Sequence, residues 1–100
     1  MSVMVLTRVR VDPDAIDELA ELFRSTNRAL VADQPDWLGA WFTADRERGE
    51  ITNIAHWRRA ESYQRLRGSE AFRATMSRFA ERFTAPPEVT IHEVLVEMAP

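Results

Sequence analysis

The sequence predicts an α+β domain running strand, helix, strand, strand, helix, strand, and three observations carry that prediction. Four separate segments alternate apolar and polar residues with the period of two that strands require. Two longer segments repeat their apolar residues at helical spacing, each behind a capping residue. The third observation is size and make-up: 100 residues, 45% apolar, with 3 Gly and 5 Pro, suit one globular domain spanning residues 1–100.

In the first strand, Val3–Val11, the side chains of Val3, Val5, Val9 and Val11 share a face with Thr7, while Arg8 and Arg10 point the other way. Asp12-Pro13 then supplies an N-cap and a proline at the first helical position. Asp14, Asp17 and Glu18 add negative charge at the positive end of the helix dipole. Ile16, Leu19, Ala20, Phe23, Leu30 and Val31 form that helix's apolar stripe, Asn27 is a polar residue within it, and Gln34-Pro35-Asp36 stops it. Leu38–Ala44 and Ile51–Arg58 read as an antiparallel pair joined by a polar loop with one glycine. Ala60–Arg67 is a short helix broken by Gly68. Ser69 caps another, in which Phe72, Met76, Phe79 and Phe83 recur at helical spacing up to Ala85-Pro86-Pro87. Val89–Met98 is the fourth strand. This order is the ferredoxin-like split βαβ, a four-stranded antiparallel sheet with helices on one face. Its other face carries Leu6, Trp41 and Ile54, and a short chain has a thin core, so a second copy is expected to cover that face in a homodimer.

The charges exclude several functions. Thirteen basic and sixteen acidic residues, a net charge of -3, are interleaved, so no basic stripe invites nucleic acid. All the basic residues are Arg, which removes a lysine Schiff base and a P-loop lysine. Without Cys there is no disulfide, thiolate nucleophile or Cys-ligated metal. No apolar run suits a membrane span or a secretory leader, so the expected location is cytoplasmic, with no membrane partner.

Chemistry concentrates in the third strand. Alternation puts Ile51, Asn53, Ala55 and Trp57 on one side and Thr52, Ile54, His56 and Arg58 on the other. If the first set lies under the helices, an amide and an indole N–H project into apolar space and each needs a hydrogen-bond partner, which a polar ligand could supply. The plainer alternatives are that Trp57 is core, Asn53 binds a backbone group and Tyr63 is an amphipathic packing residue. Asn27 either lines the same space or bonds locally on its helix, and Phe72 and Met76 are core or the wall against which a flat ligand stacks. His56 and His92 lack the helical i, i+4 partner of a metal motif and are read as structural or interfacial.

The segments Gln34-Pro35-Asp36-Trp37-Leu38-Gly39 and Trp57-Arg58-Arg59-Ala60-Glu61-Ser62-Tyr63 resemble the antibiotic biosynthesis monooxygenases, although Asp36 stands where that family commonly has Gly. The resemblance covers nearly the whole chain and implies dimers built by joining sheets, the dimeric α/β-barrel. The spacing of Asn53, Trp57 and Tyr63 is similar to that of members that oxidise phenolic polycyclic aromatics to quinones with O2, using no flavin, haem or metal. It implies catalytic roles for these three: Asn53 and Trp57 hold substrate oxygens, and Tyr63 donates a hydrogen bond or relays a proton. Such members also use an Arg on the last helix, and Arg78 and Arg82 are near the matching region, so with Asn27, Phe72 and Met76 they are the candidate substrate-binding residues. Alternatives on the same fold are a cofactor-free polyketide cyclase and a non-catalytic ligand-binding dimer. Haem degradation would call for an axial His near the last helix, and none occurs between Trp57 and His92.

Overall fold

The computed structural model describes residues 1–100. Its elements are β1 (Val3–Arg10), a 3-10 turn (Pro13–Ala15), α1 (Ile16–Val31), β2 (Trp37–Asp45), β3 (Glu50–Trp57), α2 (Ala60–Arg67), α3 (Glu70–Ala80) and β4 (Glu88–Glu93). The strands lie in the order β2-β3-β1-β4 and every neighbouring pair is antiparallel, which is the ferredoxin-like topology. Ser69 caps α3 as expected, whereas Asp12 caps the 3-10 turn that leads into α1 and the first turn of α1 itself has no side-chain cap. The Asp12 carboxylate accepts from the Asp14 N–H at 2.9 Å, and Ser69 Oγ accepts from the Phe72 N–H at 3.2 Å.

The ends of the last helix and the last strand differ from the sequence expectation by several residues. The last helix ends at Ala80, a turn before Phe83, because the chain leaves it to pair with the end of β1. Val11 and Phe83 form a bridge, and the Thr84 N–H donates to Arg10 O at 2.8 Å. Likewise β4 stops at Glu93 rather than Met98. Its ladder partner on β1 ends at Ser2, whose carbonyl accepts from the Val94 N–H, and Leu95, Val96 and Met98 are left exposed.

Register aligns one polar row across the sheet. Phe42, Asn53, Thr7 and Val89 are consecutive cross-strand neighbours on the face under the helices. The apolar residues on either side of that row form two separate cores. One gathers Val9, Val11, Ile16, Leu19, Ile51 and Phe79, with Phe23 and Phe42 packed against it; the other gathers Val3, Val5, Val31, Trp57, Tyr63 and Leu66. Thr7 and Asn53 thus mark a seam where neither core closes over the sheet. On the open face, Trp41, Ile54, Leu6 and Thr90 form the equivalent row, and Trp41 is 54% exposed.

The β2–β3 hairpin is docked onto the end of β1 at one tight point. Gly49 has φ +62°, its carbonyl accepts from the Val11 N–H at 2.8 Å, and a Cβ there would lie 2.5 Å from Val11 O. Only glycine meets both demands.

Candidate active site

Between the two cores and under α1, α2 and α3 lies a cavity of about 230 Å³, walled mainly by apolar side chains. The sheet supplies Val5, Thr7, Asn53, Ala55 and Trp57; α1 supplies Phe23, Thr26, Asn27 and Leu30; α2 and α3 supply Tyr63, Arg67, Phe72, Thr75 and Met76. Asn53, Trp57, Tyr63, Asn27, Phe72 and Met76 are therefore brought together around one space.

Alternation on β3 aims Asn53 and Trp57 into it, two pleats apart. Trp57 is 2% exposed, yet its Nε1 has no hydrogen-bond partner, and neither has the buried Asn53 Oδ1. A buried polar atom left unpaired costs about 1–3 kcal/mol, so both are conspicuous in a well-packed fold. The indole can only donate, whereas the amide can turn to present either group. Tyr63 packs its ring against Trp57 at 6.0 Å between centroids (60° between planes) and meets Phe72 edge-on at 6.5 Å. Burial raises the Tyr63 hydroxyl above its usual pKa of 10.0, while the positive charge of Arg67 draws it partly back. The phenol is thus protonated at neutral pH and available as a donor.

The Trp57–Tyr63 corner is held from outside by Asp36. Its carbonyl accepts from the Arg58 N–H at 2.7 Å. Its carboxylate accepts from the Ser62 hydroxyl at 2.5 Å and from Arg59 Nη2 at 3.0 Å, with Arg58 Nε 3.5 Å away. Arg58 follows Trp57 and Ser62 precedes Tyr63, so one side chain ties both cavity residues to the start of β2. The Ser62 and Arg59 hydrogen bonds hold the Asp36 carboxyl below its usual range.

Arg78 and Arg82 are not on the cavity wall. On α3 the positions facing the cavity are Phe72, Thr75, Met76 and Phe79, a 3.6-residue stripe that leaves Arg78 pointing out. Arg82 lies beyond the helix and pairs with Glu18 at 2.8 Å, in a shallow outer groove that Arg78 shares. The arginine that does line the cavity is Arg67. The signal available for it is its place one helical turn after Tyr63.

Several solved structures share this fold. One is Rv0793 from Mycobacterium tuberculosis, with TM-score 0.78, 22% identity, and 99% of this chain and 100% of that one covered. SnoaB, a cofactor-independent oxygenase from Streptomyces nogalater solved as a mutant, gives TM-score 0.80, 19% identity, and coverage of 99% and 98%. A conserved protein from Methanosarcina mazei Go1 gives 0.78, 16%, and 92% and 91%. Among curated proteins no match is found. At these identities the structures speak for the fold alone. The sequence itself matches the family model for antibiotic biosynthesis monooxygenase over residues 2–78, a span that runs from β1 into α3 and holds every polar residue of the cavity. On that match, the chain belongs to the antibiotic biosynthesis monooxygenase family.

Proposed function

We propose that the chain is a cofactor-independent monooxygenase that oxidises a phenolic fused-ring aromatic, of the anthrone or hydroquinone type, to a quinone with O2. The observation that carries this reading is the pair of unpartnered buried atoms, Asn53 Oδ1 and Trp57 Nε1, on the wall of an otherwise apolar cavity. A flat aromatic bearing oxygen substituents satisfies both while its rings meet Phe72 and Met76.

For an anthrone, the ring CH2 and O2 become C=O and H2O; for a hydroquinone-type phenol, the ring C–H para to a hydroxyl takes one oxygen to give the quinone and the other leaves as H2O. Loss of one proton gives an anion rich enough to pass an electron to O2, and the two radicals then join at carbon. The peroxide is protonated and loses its remaining C–H proton; its O–O bond breaks, and hydroxide departs as water. With no carboxylate or imidazole on the cavity wall, deprotonation rests on the substrate's own acidity. Asn53, with its N–H turned inward, and Trp57 increase that acidity by hydrogen bonding to the phenolate oxygen. Tyr63, held protonated by burial, donates to the peroxide. The apolar walls keep water from the radical pair. A second copy of the chain covers the open sheet face through the Leu6, Trp41 and Ile54 row.

The test is oxygen uptake and quinone formation by the metal-stripped protein with an anthrone or a naphthalene diol and no added cofactor, after subtraction of the spontaneous rate. Trp57→Phe and Asn53→Ala are each expected to lower the rate about 10- to 100-fold. Full activity in both variants overturns the site assignment. No uptake across several ring sizes moves the cyclase and the non-catalytic binding dimer ahead.

A further inference from the structure

The cavity carries one formal charge, and nothing in the protein uses it. Arg67 is the only residue with a permanently charged side chain among those lining the cavity, and no Asp or Glu lines it. The other arginines flanking α2 are engaged. Arg58 and Arg59 lie on Asp36, Arg65 donates to Ser62 Oγ at 3.4 Å, and Arg73 donates to Gly68 O at 3.4 Å. Arg67 makes no ion pair and no side-chain hydrogen bond.

Its placement relative to the buried pair is also informative. Tyr63 and Arg67 are four residues apart on α2, so they occupy the same helix face. Tyr63 and Trp57 are buried, whereas Arg67 is exposed. The guanidinium therefore stands at the mouth of a space whose floor holds Asn53 and Trp57. It is close enough to Tyr63 for its charge to be felt at the hydroxyl.

We infer that Arg67 determines specificity by receiving a carboxylate at the cavity mouth, so that the substrate is an aromatic acid whose oxygenated ring reaches Asn53 and Trp57. The guanidinium fork matches a carboxylate in two parallel hydrogen bonds, a geometry Lys does not offer. No other charged side chain lines the cavity, so such a ligand has no second place for its charge, which fixes which end enters first. This rests on the monooxygenase reading only for the identity of the ring system.

Binding without turnover tests it. Anthraquinone-2-carboxylate and its neutral primary amide, nearly equal in shape, are titrated against the full chain by calorimetry. The carboxylate is expected to bind about 10-fold more tightly than the amide, the worth of one charge-assisted hydrogen bond. Arg67→Gln removes that preference by weakening the carboxylate far more than the amide, while Arg67→Lys restores part of it. Equal binding of the two ligands by the unaltered chain, or an equal loss of both in Arg67→Gln, overturns the assignment. Failure of both ligands to bind overturns the assignment together with the fused-ring reading of the cavity. A carboxylate preference lost in Arg67→Gln, with no oxygen uptake on any substrate, supports the Arg67 assignment and overturns the monooxygenase reading alone. Because Tyr63 is the only tyrosine, its near-ultraviolet titration gives an independent readout. It moves to higher pH in Arg67→Gln if the charge is where the structure puts it, and a curve that does not move counts against the placement.

Discussion

At the level of single residues, Asn53 is where the demands of the fold part from those of the proposed site. An asparagine that served the fold would find a partner; this one leaves its Oδ1 buried and unpaired. Replacing such a group by an apolar side chain of similar size is close to neutral for stability or favourable. Asn53→Leu is therefore expected to unfold at the same denaturant concentration as the parent or at a higher one, by up to about 1–2 kcal/mol, while its oxygen uptake falls. A clear loss of stability would mean that Asn53 holds the sheet. Tyr63 makes a pH prediction. Its pKa is raised in the fold, so stability held at neutral pH is lost as pH climbs from 10.0 through the higher folded value. The tyrosinate absorbance of this single tyrosine should appear above pH 10.0, and a midpoint at or below that value would contradict its burial. Of the cavity residues, Asn53, Trp57 and Tyr63 are legible from period-two alternation joined to a family spacing. Arg67 is not, because an arginine on a short, polar helix carries no pattern of its own, and chain position near the last helix does not tell that Arg78 points outward on α3 or that Arg82 lies beyond it.

Among the elements, β1, α2 and the start of α3 follow from local signals and lie where those signals are, while Asp12-Pro13 opens a 3-10 turn one step ahead of α1. The far ends do not follow from local signals, for a physical reason. Phe83 continues the helical stripe of α3 and Leu95 to Met98 continue an apolar tail, but helix and strand stop where backbone partners on β1 begin or run out. That information is tertiary, and no window of sequence around Phe83 or Val94 contains it. The hairpin loop shows the opposite case, in which one residue states a long-range requirement. Gly49→Ala puts a methyl against Val11 O and forces a left-handed backbone on a residue that resists it. We expect a loss of about 1–3 kcal/mol in denaturant unfolding. The proline-bearing turn after β1 should loosen with it, since Pro13 lies 3.3 Å from the same position. An unchanged midpoint would show that the loop can move off β1 at no cost.

On the scale of the whole molecule, helices cover one face of the sheet and leave Trp41 more than half exposed on the other. In the proposed homodimer the Trp41, Ile54 and Leu6 row would meet the same row of a second copy about a two-fold axis. Trp41→Glu is expected to shift the protein from dimer to monomer in sedimentation velocity at micromolar concentration, with the fold retained. A parent chain that sediments as a monomer would place that face to another use. The division of the core has its own consequence. The two clusters meet along the Thr7–Asn53 row, and β1, β3, α1 and α3 each give side chains to both, so it is the continuity of these elements that joins them. An aromatic ligand of the proposed kind would touch both clusters and act as the keystone that makes them unfold as one.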